Sequence, residues 1–469
     1  MTKFLTFFIL THCSLLFSQT VLTSYPLELR KSREFQQIIN AENTKTHDVF
    51  VFASDKENVT ILKYNTALFL SDNFTIARPN LDYKALVGYS FSDDGIPTLY
   101  WSSEDFKNIL AVQYDLNTKT TASFIYQLSF FNETIVNQFQ ENNSFYIVSE
   151  KNKEQKLVLY IFKNGKKEEK TLDFTSFKFQ NKETQPLTLN EILEVCPIEK
   201  INTTEFTPLF KGSQKTKMYV LKNRMLLTLD HNFKETQTFD IDLNSFIIQE
   251  KKIPQPNTKT QVSLGNSFFY ENKLYQLTAN EQELIFEIKD YNSGAVINSF
   301  QVDKKDTISF KNSPLFVQID GQKPTELKNT SRFLQRLLFL NAGLTVYKTQ
   351  KEILLTIGGT REGESPFDYS MGFNAIMNGN VTYAGNLLMN SRSINLYFES
   401  VLDKKFQHSK KEQQPLAIDF ISRFVYEHKE VSLQSTFRFK NYYIFGYYDS
   451  KAKQYVMRKF IDGFGNSFQ

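Results

Sequence analysis

Short runs of β-branched and aromatic residues, separated by turn-forming residues, recur along most of this chain. The segment from Asn266 to Gln301 is the clearest case, because it contains four such runs in succession. The runs Asp48–Ala53 and Val59–Tyr64, joined by a polar turn, show the same pattern as a hairpin. Runs of this length bounded by Asn, Asp, Gly and Lys are typical of strands joined by tight turns. The pattern therefore predicts antiparallel meander sheets.

Similar units recur at a spacing that indicates a repeat architecture. We expect strand pairs around eight positions, namely Phe50, Leu99, Tyr146, Tyr219, Tyr275, Val346, Leu396 and Ile444. A period of roughly 40 to 50 residues built from four-stranded sheets is typical of propeller blades. One meander cannot bury both of its faces alone, and radial packing of blades covers them. The expected fold is all-β, a β-propeller of about seven or eight four-stranded blades. Two or more β-sandwich or barrel domains are the alternative.

Three segments interrupt the repeat within a propeller-like domain that we expect to span residues 19–469. Residues 185–207 and 304–330 each contain two prolines, and residues 358–390 contain several glycines. We expect loop insertions at these places, because Pro and Gly interrupt regular strands.

One short helix is expected near residues 330–342. Asn329 can cap its start, and Gly343 stands where a C-terminal cap is needed. An apolar stripe is formed by residues at helical spacing, namely Phe333, Leu334, Leu337 and Leu338.

The first 18 residues have the pattern of a secretory signal peptide. Lys3 supplies a positive charge, and an apolar run extends from Phe4 to Phe17. This run is too short to span a bilayer, and Ser18 is the small residue expected before a cleavage site. We therefore expect export to the periplasm, the outer surface or the medium, with no transmembrane span. Gln19 would then be the first residue of the mature chain.

Composition and motifs exclude several functions. The 55 basic and 51 acidic residues give a net charge of only +4, which does not supply the positive field that nucleic-acid binding needs. The sequence contains no phosphate-binding glycine loop, nucleophile elbow or His-Glu-x-x-His motif. We expect no cofactor, no metal and no nucleic-acid partner, and catalytic residues stay unknown. Cys196 would be alone after removal of the signal peptide, so no disulfide is expected.

Two regions supply candidate binding residues. The run from Lys440 to Asp449 contains tyrosines, which stack on sugars and anchor protein interfaces when they are exposed. Packing of these rings in a core is the alternative. The loop-like stretch Ile357–Asp368 carries charged residues among glycines. The candidates are therefore Tyr442, Tyr443, Tyr447, Tyr448, Arg361 and Asp368.

These patterns favour a non-enzymatic binding or scaffold protein of the cell envelope, with a protein or glycan as its ligand. A glycan-active hydrolase or lyase with its site in the central channel is one alternative. A structural component of a surface assembly is another. A deep central pocket with acidic groups would favour the enzyme, and a plugged channel would disfavour it.

Overall fold

The computed structural model describes residues 19–30, 33–128, 132–361 and 393–463. Within these ranges, seven sheets of four or five strands follow one another along the chain. Hydrophobic clusters join each sheet to the next, and the last sheet packs against the first. The expected all-β propeller is confirmed, with seven blades in the described ranges. The predicted signal peptide, residues 1–18, lies outside the described residues.

The first three blades are plain four-stranded meanders. In each of them the strands follow one another in chain order from the channel outward. Their middle strands are buried on both faces because a neighbouring blade covers each side, whereas the outermost strands are largely exposed. Blade 1 contains β2 (Gln37–Glu42), β3 (Val49–Ser54), β4 (Asn58–Tyr64) and β5 (Leu70–Ala77). Blade 2 contains β6 (Ala85–Phe91), β7 (Pro97–Ser102), β8 (Asn108–Asp115) and β9 (Thr120–Gln127). Blade 3 contains β10 (Glu133–Glu141), β11 (Ser144–Lys151), β12 (Lys156–Lys163) and β13 (Lys166–Asp173).

Blade 4 has five strands because an extra strand, parallel to its neighbour, is added on the channel side. Before it come a small ribbon of β14 (Phe179–Gln180) and β15 (Pro186–Leu187) and helix α1 (Leu189–Val195). The blade contains β16 (Ile198–Ile201), β17 (Thr216–Leu221), β18 (Arg224–Leu229), β19 (Glu235–Asp242) and β20 (Ile248–Pro254). Helix α2 (Leu209–Gly212) lies between β16 and β17. Blade 5 is the meander predicted from Asn266 to Gln301, with β21 (Leu264–Tyr270), β22 (Lys273–Ala279), β23 (Glu283–Asp290) and β24 (Val296–Asp303).

Blade 6 is built out of chain order. Its outer strands β25 (Phe316–Ile319) and β26 (Thr325–Glu326) come first, then helix α3 (Thr330–Leu337), β27 (Asn341–Lys348), β28 (Ile353–Arg361) and β29 (Ile394–Leu402). Strand β25 pairs with β29, so the segment 304–330, expected to be a loop insertion, supplies a blade strand. The expected insertion at 185–207 contains α1 and β16. Of the segment 358–390, residues 362–390 lie outside the described residues.

Blade 7 closes the ring with residues from both ends of the described chain. Helix α4 (Ala417–Glu427) precedes β30 (Val431–Phe439), β31 (Tyr442–Asp449) and β32 (Gln454–Phe460), and β1 (Gln19–Pro26) is the outermost strand. Strands β1 and β32 pair antiparallel from Gln19 opposite Phe460 to Pro26 opposite Gln454. This pairing satisfies the backbone groups on the outer side of β32 and makes β1 the edge strand of the blade.

The predicted helix is present, but its end was placed wrongly. Asn329 caps α3 by accepting a hydrogen bond from the backbone N–H of Arg332, as expected. The helix ends at Leu337, and Gly343 lies inside β27 instead of forming a cap. A side chain at Gly343 would come within 2.5 Å of the Cα of Ser213, so this glycine permits a close backbone approach. None of the helices in the described ranges is long and apolar enough to cross a membrane.

Candidate functional site

Residues 202–215, which we call the return segment, fill the central channel. Strand β16 runs in the same direction as β17, so the chain must travel back along the channel before β17 begins. At one end of the channel, the Arg438 side chain donates a hydrogen bond to the Thr204 carbonyl at 3.1 Å. At the other end, the hydroxyls of Ser213 and Thr360 are 2.9 Å apart. The channel is therefore occupied along its length by the protein's own chain.

Contacts with blades 5 and 7, together with that of Ser213 with Thr360 of blade 6, hold the return segment in place. The backbone N–H of Phe206 donates to the Tyr443 hydroxyl of blade 7 at 3.0 Å. The Asn266 amide of blade 5 donates to the carbonyls of both Ser213 and Ala342, at 2.9 and 2.7 Å. Satisfied buried polar groups of this kind rigidify a protein interior. We infer that the segment is a fixed part of the ring.

Charged groups lie along the return segment inside the channel. Lys211 and Glu199 form an ion pair at 2.6 Å. Burial raises the pKa values of the Glu141 and Glu205 carboxyls, and the nearby Lys200 ammonium opposes that rise. Burial also lowers the pKa of Lys200, and the carboxylates of Glu141 and Glu205 oppose that decrease. Lys200 therefore lies between two carboxyl groups whose burial its charge partly offsets, as expected for charged groups taken out of water.

Two observations concern metal-ligand clusters and the one free thiol in the described part of the chain. No group of three or more His, Cys, Asp and Glu side chains there is arranged to hold a metal ion. Burial raises the pKa of the Cys196 thiol, which disfavours the thiolate that a nucleophile needs. The return segment also occupies the channel in which a hydrolase or lyase site was expected.

A cavity of about 750 Å³ opens at the channel end where Arg438 meets Thr204, and we call it the mouth cavity. Its walls come from the ends of inner strands and from the turns that follow them, in blades 1, 4, 5, 6 and 7, and its floor includes the start of the return segment. Its lining consists of Glu42, Thr203, Thr204, Leu221, Arg224, Phe269, Tyr270, Glu271, Asn272, Lys348, Thr349, Gln350, Arg438 and Lys440.

The lining of the mouth cavity carries an excess of positive charge. Four of its side chains are basic and two are acidic. The acidic Glu271 pairs with Lys348 at 2.8 Å, and the acidic Glu42 lies 2.6 Å from a histidine ring nitrogen. Arg224 pairs at 2.6 Å with Asp240, which is not part of the lining. The other two basic side chains of the lining are those of Arg438 and Lys440.

Arg438 and Lys440 are held by neutral groups. The Arg438 guanidinium contacts the Thr204 carbonyl and lies 5.9 and 6.0 Å from the ring centres of Tyr347 and Tyr443. The Lys440 ammonium donates to the Thr66 carbonyl at 3.1 Å. In the described part of the chain, neither cation forms an ion pair. The cavity is therefore suited to hold an anionic group.

The residues predicted as binding candidates do not converge in the structure. Tyr443, Tyr447 and Tyr448 are only 4, 4 and 7% exposed and pack in hydrophobic clusters, which agrees with the alternative of core packing. Tyr442 is half-buried, with the Lys459 ammonium 4.6 Å from its ring centre.

The two charged candidates lie away from the mouth cavity or outside the described residues. Arg361 is exposed at the end of β28, whose first residue, Ile353, pairs with the cavity residue Lys348. A nine-residue strand separates Arg361 from the mouth cavity, so Arg361 lies on the opposite face of the ring. Asp368 lies outside the described residues.

Comparisons with known proteins found only distant likenesses among solved structures. No family model and no curated protein matches this chain. Among solved structures, it is similar to the Nup133 β-propeller domain of Vanderwaltozyma polyspora, with 12% identity over 95% of this chain and 97% of that one, and a TM-score of 0.33. It is also similar to the Dos1 propeller, with 9% identity over 97% of both chains and a TM-score of 0.31. The WD40 domain of SCAP from fission yeast matches with 10% identity over 96% of this chain and 98% of that one, and a TM-score of 0.31. At this level of identity, the likeness says nothing about a ligand.

Proposed function

We propose that this chain is an exported β-propeller binding protein whose partner or ligand docks at the mouth cavity. The observation that carries the proposal is an open cavity of about 750 Å³ over a filled channel, with two cations that lack ion-pair partners in the described part of the chain. Ligand pockets commonly have volumes of about 300–1,000 Å³.

The arrangement of the acidic groups favours binding over catalysis. General acid–base chemistry needs carboxyl groups that can exchange a proton with the substrate. In the mouth cavity, Glu271 accepts two hydrogen bonds from Lys348, and Glu42 is held by His47. Glu271 is therefore paired with a cation and Glu42 lies within hydrogen-bond distance of a histidine ring, which leaves Arg438 and Lys440 for a ligand.

Docking at the mouth cavity can be tested by blocking it. Gln350 is exposed in the turn between β27 and β28, so Gln350→Trp should obstruct the cavity without disturbing the core. Ala452 is exposed in the turn between β31 and β32 on the opposite face, so Ala452→Trp is the matched control. The purified proteins would be immobilised and exposed to an envelope extract of the source organism.

The expected result is a partner captured by the wild type and by Ala452→Trp, and lost with Gln350→Trp. Equal capture by all three proteins would contradict docking at the mouth cavity. The thermal midpoints of both variants should match that of the wild type, because both positions are exposed.

Export forms the second part of the proposal, and it rests on the signal-like pattern of residues 1–18. The ring-closing strand β1 begins at Gln19, so cleavage after Ser18 would leave all described residues of the ring in the mature chain. We expect the full sequence, expressed in a bacterium with a C-terminal tag, to be recovered outside the cytoplasm with Gln19 as its first residue. Intact-mass measurement checks this. A cytoplasmic product that keeps residues 1–18 would contradict the export proposal.

A further inference from the structure

We infer that the mouth cavity binds an acidic peptide segment, with Arg438 and Lys440 as its carboxylate anchors. This inference rests on the proposed function, because it specifies the ligand of the same cavity. It starts from the charge imbalance of the lining, where these two cations contact only neutral groups in the described part of the chain.

The spacing of the two anchors suits an extended peptide. Arg438 is the penultimate residue of β30 and Lys440 directly follows the strand, so their backbones are about 7 Å apart. Alternate side chains of an extended peptide are separated by the same distance. The long side chains of Arg438 and Lys440 extend to Thr204 and Thr66, so an acidic segment that crosses the cavity can present one carboxylate to each cation. The planar guanidinium of Arg438 can also grip a carboxylate through two parallel hydrogen bonds.

The remaining lining favours a peptide over a sugar chain. Sugar rings stack on exposed aromatic faces, yet the cavity aromatics Phe269 and Tyr270 are only 1 and 8% exposed. The polar lining consists instead of hydroxyl and amide side chains that can donate to and accept from peptide groups. These are Thr203, Thr204, Asn272, Thr349 and Gln350.

The direct test is a titration with a fluorescently labelled hepta-glutamate peptide, followed by fluorescence anisotropy. Hepta-glutamine and a hepta-galacturonate serve as the uncharged and the sugar-based probes. The variants are Arg438→Gln, Lys440→Gln and the control Arg361→Gln. Each removes one positive charge, and Arg361 lies on the opposite face of the ring.

We expect hepta-glutamate to bind the wild type more tightly than either other probe. Arg438→Gln and Lys440→Gln should each weaken that binding at least about tenfold, equivalent to about 1.4 kcal/mol. Arg361→Gln should change it by less than about twofold, because a remote surface charge contributes little in salt. Arg438→Gln also removes the contact with Thr204, so Lys440→Gln, which leaves the return segment untouched, keeps the test decisive.

Three results would overturn the inference. Equal weakening by all three variants would indicate unspecific charge attraction, and tighter binding of the galacturonate would indicate a sugar ligand. Absence of hepta-glutamate binding would reject the acidic-peptide class. If an extract partner is nevertheless captured and is lost only with Gln350→Trp, the proposed docking site stands while its ligand chemistry fails.

Discussion

Two junctions between neighbouring blades differ in whether they bury charged groups. Blades 4 and 5 share apolar contacts such as that of Tyr219 with Phe268, and in addition a buried charge pair with its hydrogen bonds. Asp230, just after β18, accepts hydrogen bonds from the backbone N–H and the hydroxyl of Ser267 in blade 5, at 2.9 and 2.8 Å. Lys217 lies 3.5 Å from Asp230, and both side chains are completely buried. Lys217 also donates to Asn266 of blade 5 at 2.6 Å.

Blades 1 and 2 meet through aromatic rings. The rings of Phe50 and Phe91 have centres 4.8 Å apart, and those of Phe52 and Tyr89 are 6.0 Å apart. The contrast shows that one blade geometry tolerates either kind of junction. The polar junction depends on the identity and charge of each group. The aromatic junction depends mainly on filled volume.

The largest expected effect comes from Asp230→Asn, which keeps the size of the side chain and removes its charge. Lys217 would then be a buried cation without its partner, and we expect a loss of about 3–5 kcal/mol in the free energy of unfolding. Urea denaturation of the variant and the wild type measures this loss in the free energy of unfolding. Adding Lys217→Met to Asp230→Asn should recover part of the loss, because it removes the cation nearest to position 230 and leaves only Lys215, whose charge Asp230 also favours. A loss below about 1 kcal/mol for Asp230→Asn would show that charge does not distinguish the two junctions.

A smaller effect is expected from Phe91→Leu in the aromatic junction. Leucine keeps the apolar character and most of the volume, so neighbouring rings can close part of the gap. We expect a loss of about 1–1.5 kcal/mol in the same urea experiment, well below that of Asp230→Asn. A loss as large as that of Asp230→Asn would remove the contrast between the junctions.

The smallest effect concerns pH. Burial lowers the pKa of Lys217 to about 8, with Asp230 opposing the shift. The unfolded chain therefore binds more protons at this group above pH 8, so its contribution to stability rises as pH increases. We expect the free energy of unfolding to increase less steeply in Lys217→Met than in the wild type between about pH 8 and 9.5. An equal pH dependence of the free energy of unfolding in Lys217→Met and in the wild type would contradict this expectation.

The same pH series sharpens the comparison when it includes Phe91→Leu, whose slope should match that of the wild type. The range stops below pH 10 because burial raises the pKa values of tyrosines such as Tyr275. Such a tyrosine contributes to native-state stability at pH values below the pKa that it has in the unfolded chain. This contribution is lost as the pH rises further.

Most of the fold could be predicted from strand periodicity, because strand signals are local. The number of blades stayed open between seven and eight, since Val346 and Leu396 were counted as separate units. Both belong to blade 6, in β27 and β29, and a long segment separates them in sequence. Local patterns cannot show that distant strands share a sheet.

Helix α4 was not predicted, although its signal was present. Its buried residues recur at helical spacing, and Asp419 accepts a hydrogen bond from the backbone N–H at the helix start. The mouth cavity left no comparable signal. Arg438, Lys440 and Gln350 belong to different turns and strand ends, and only the closed ring brings them together. Burial of the neighbouring tyrosines likewise depends on blade packing rather than on their own pattern.

The pairing of β1 with β32 sets the order in which the molecule can be completed. Glu28, just after β1, contacts Lys453 across a separation of 425 residues. During synthesis the first strand must wait, unpaired, until its neighbour β32 has been made. Its loop-closure cost grows only slowly with chain length, so the delay is a matter of time more than of final stability. A chain truncated before Gln454 would leave this strand without its neighbour, which makes completeness of the polypeptide a condition for a sealed disc.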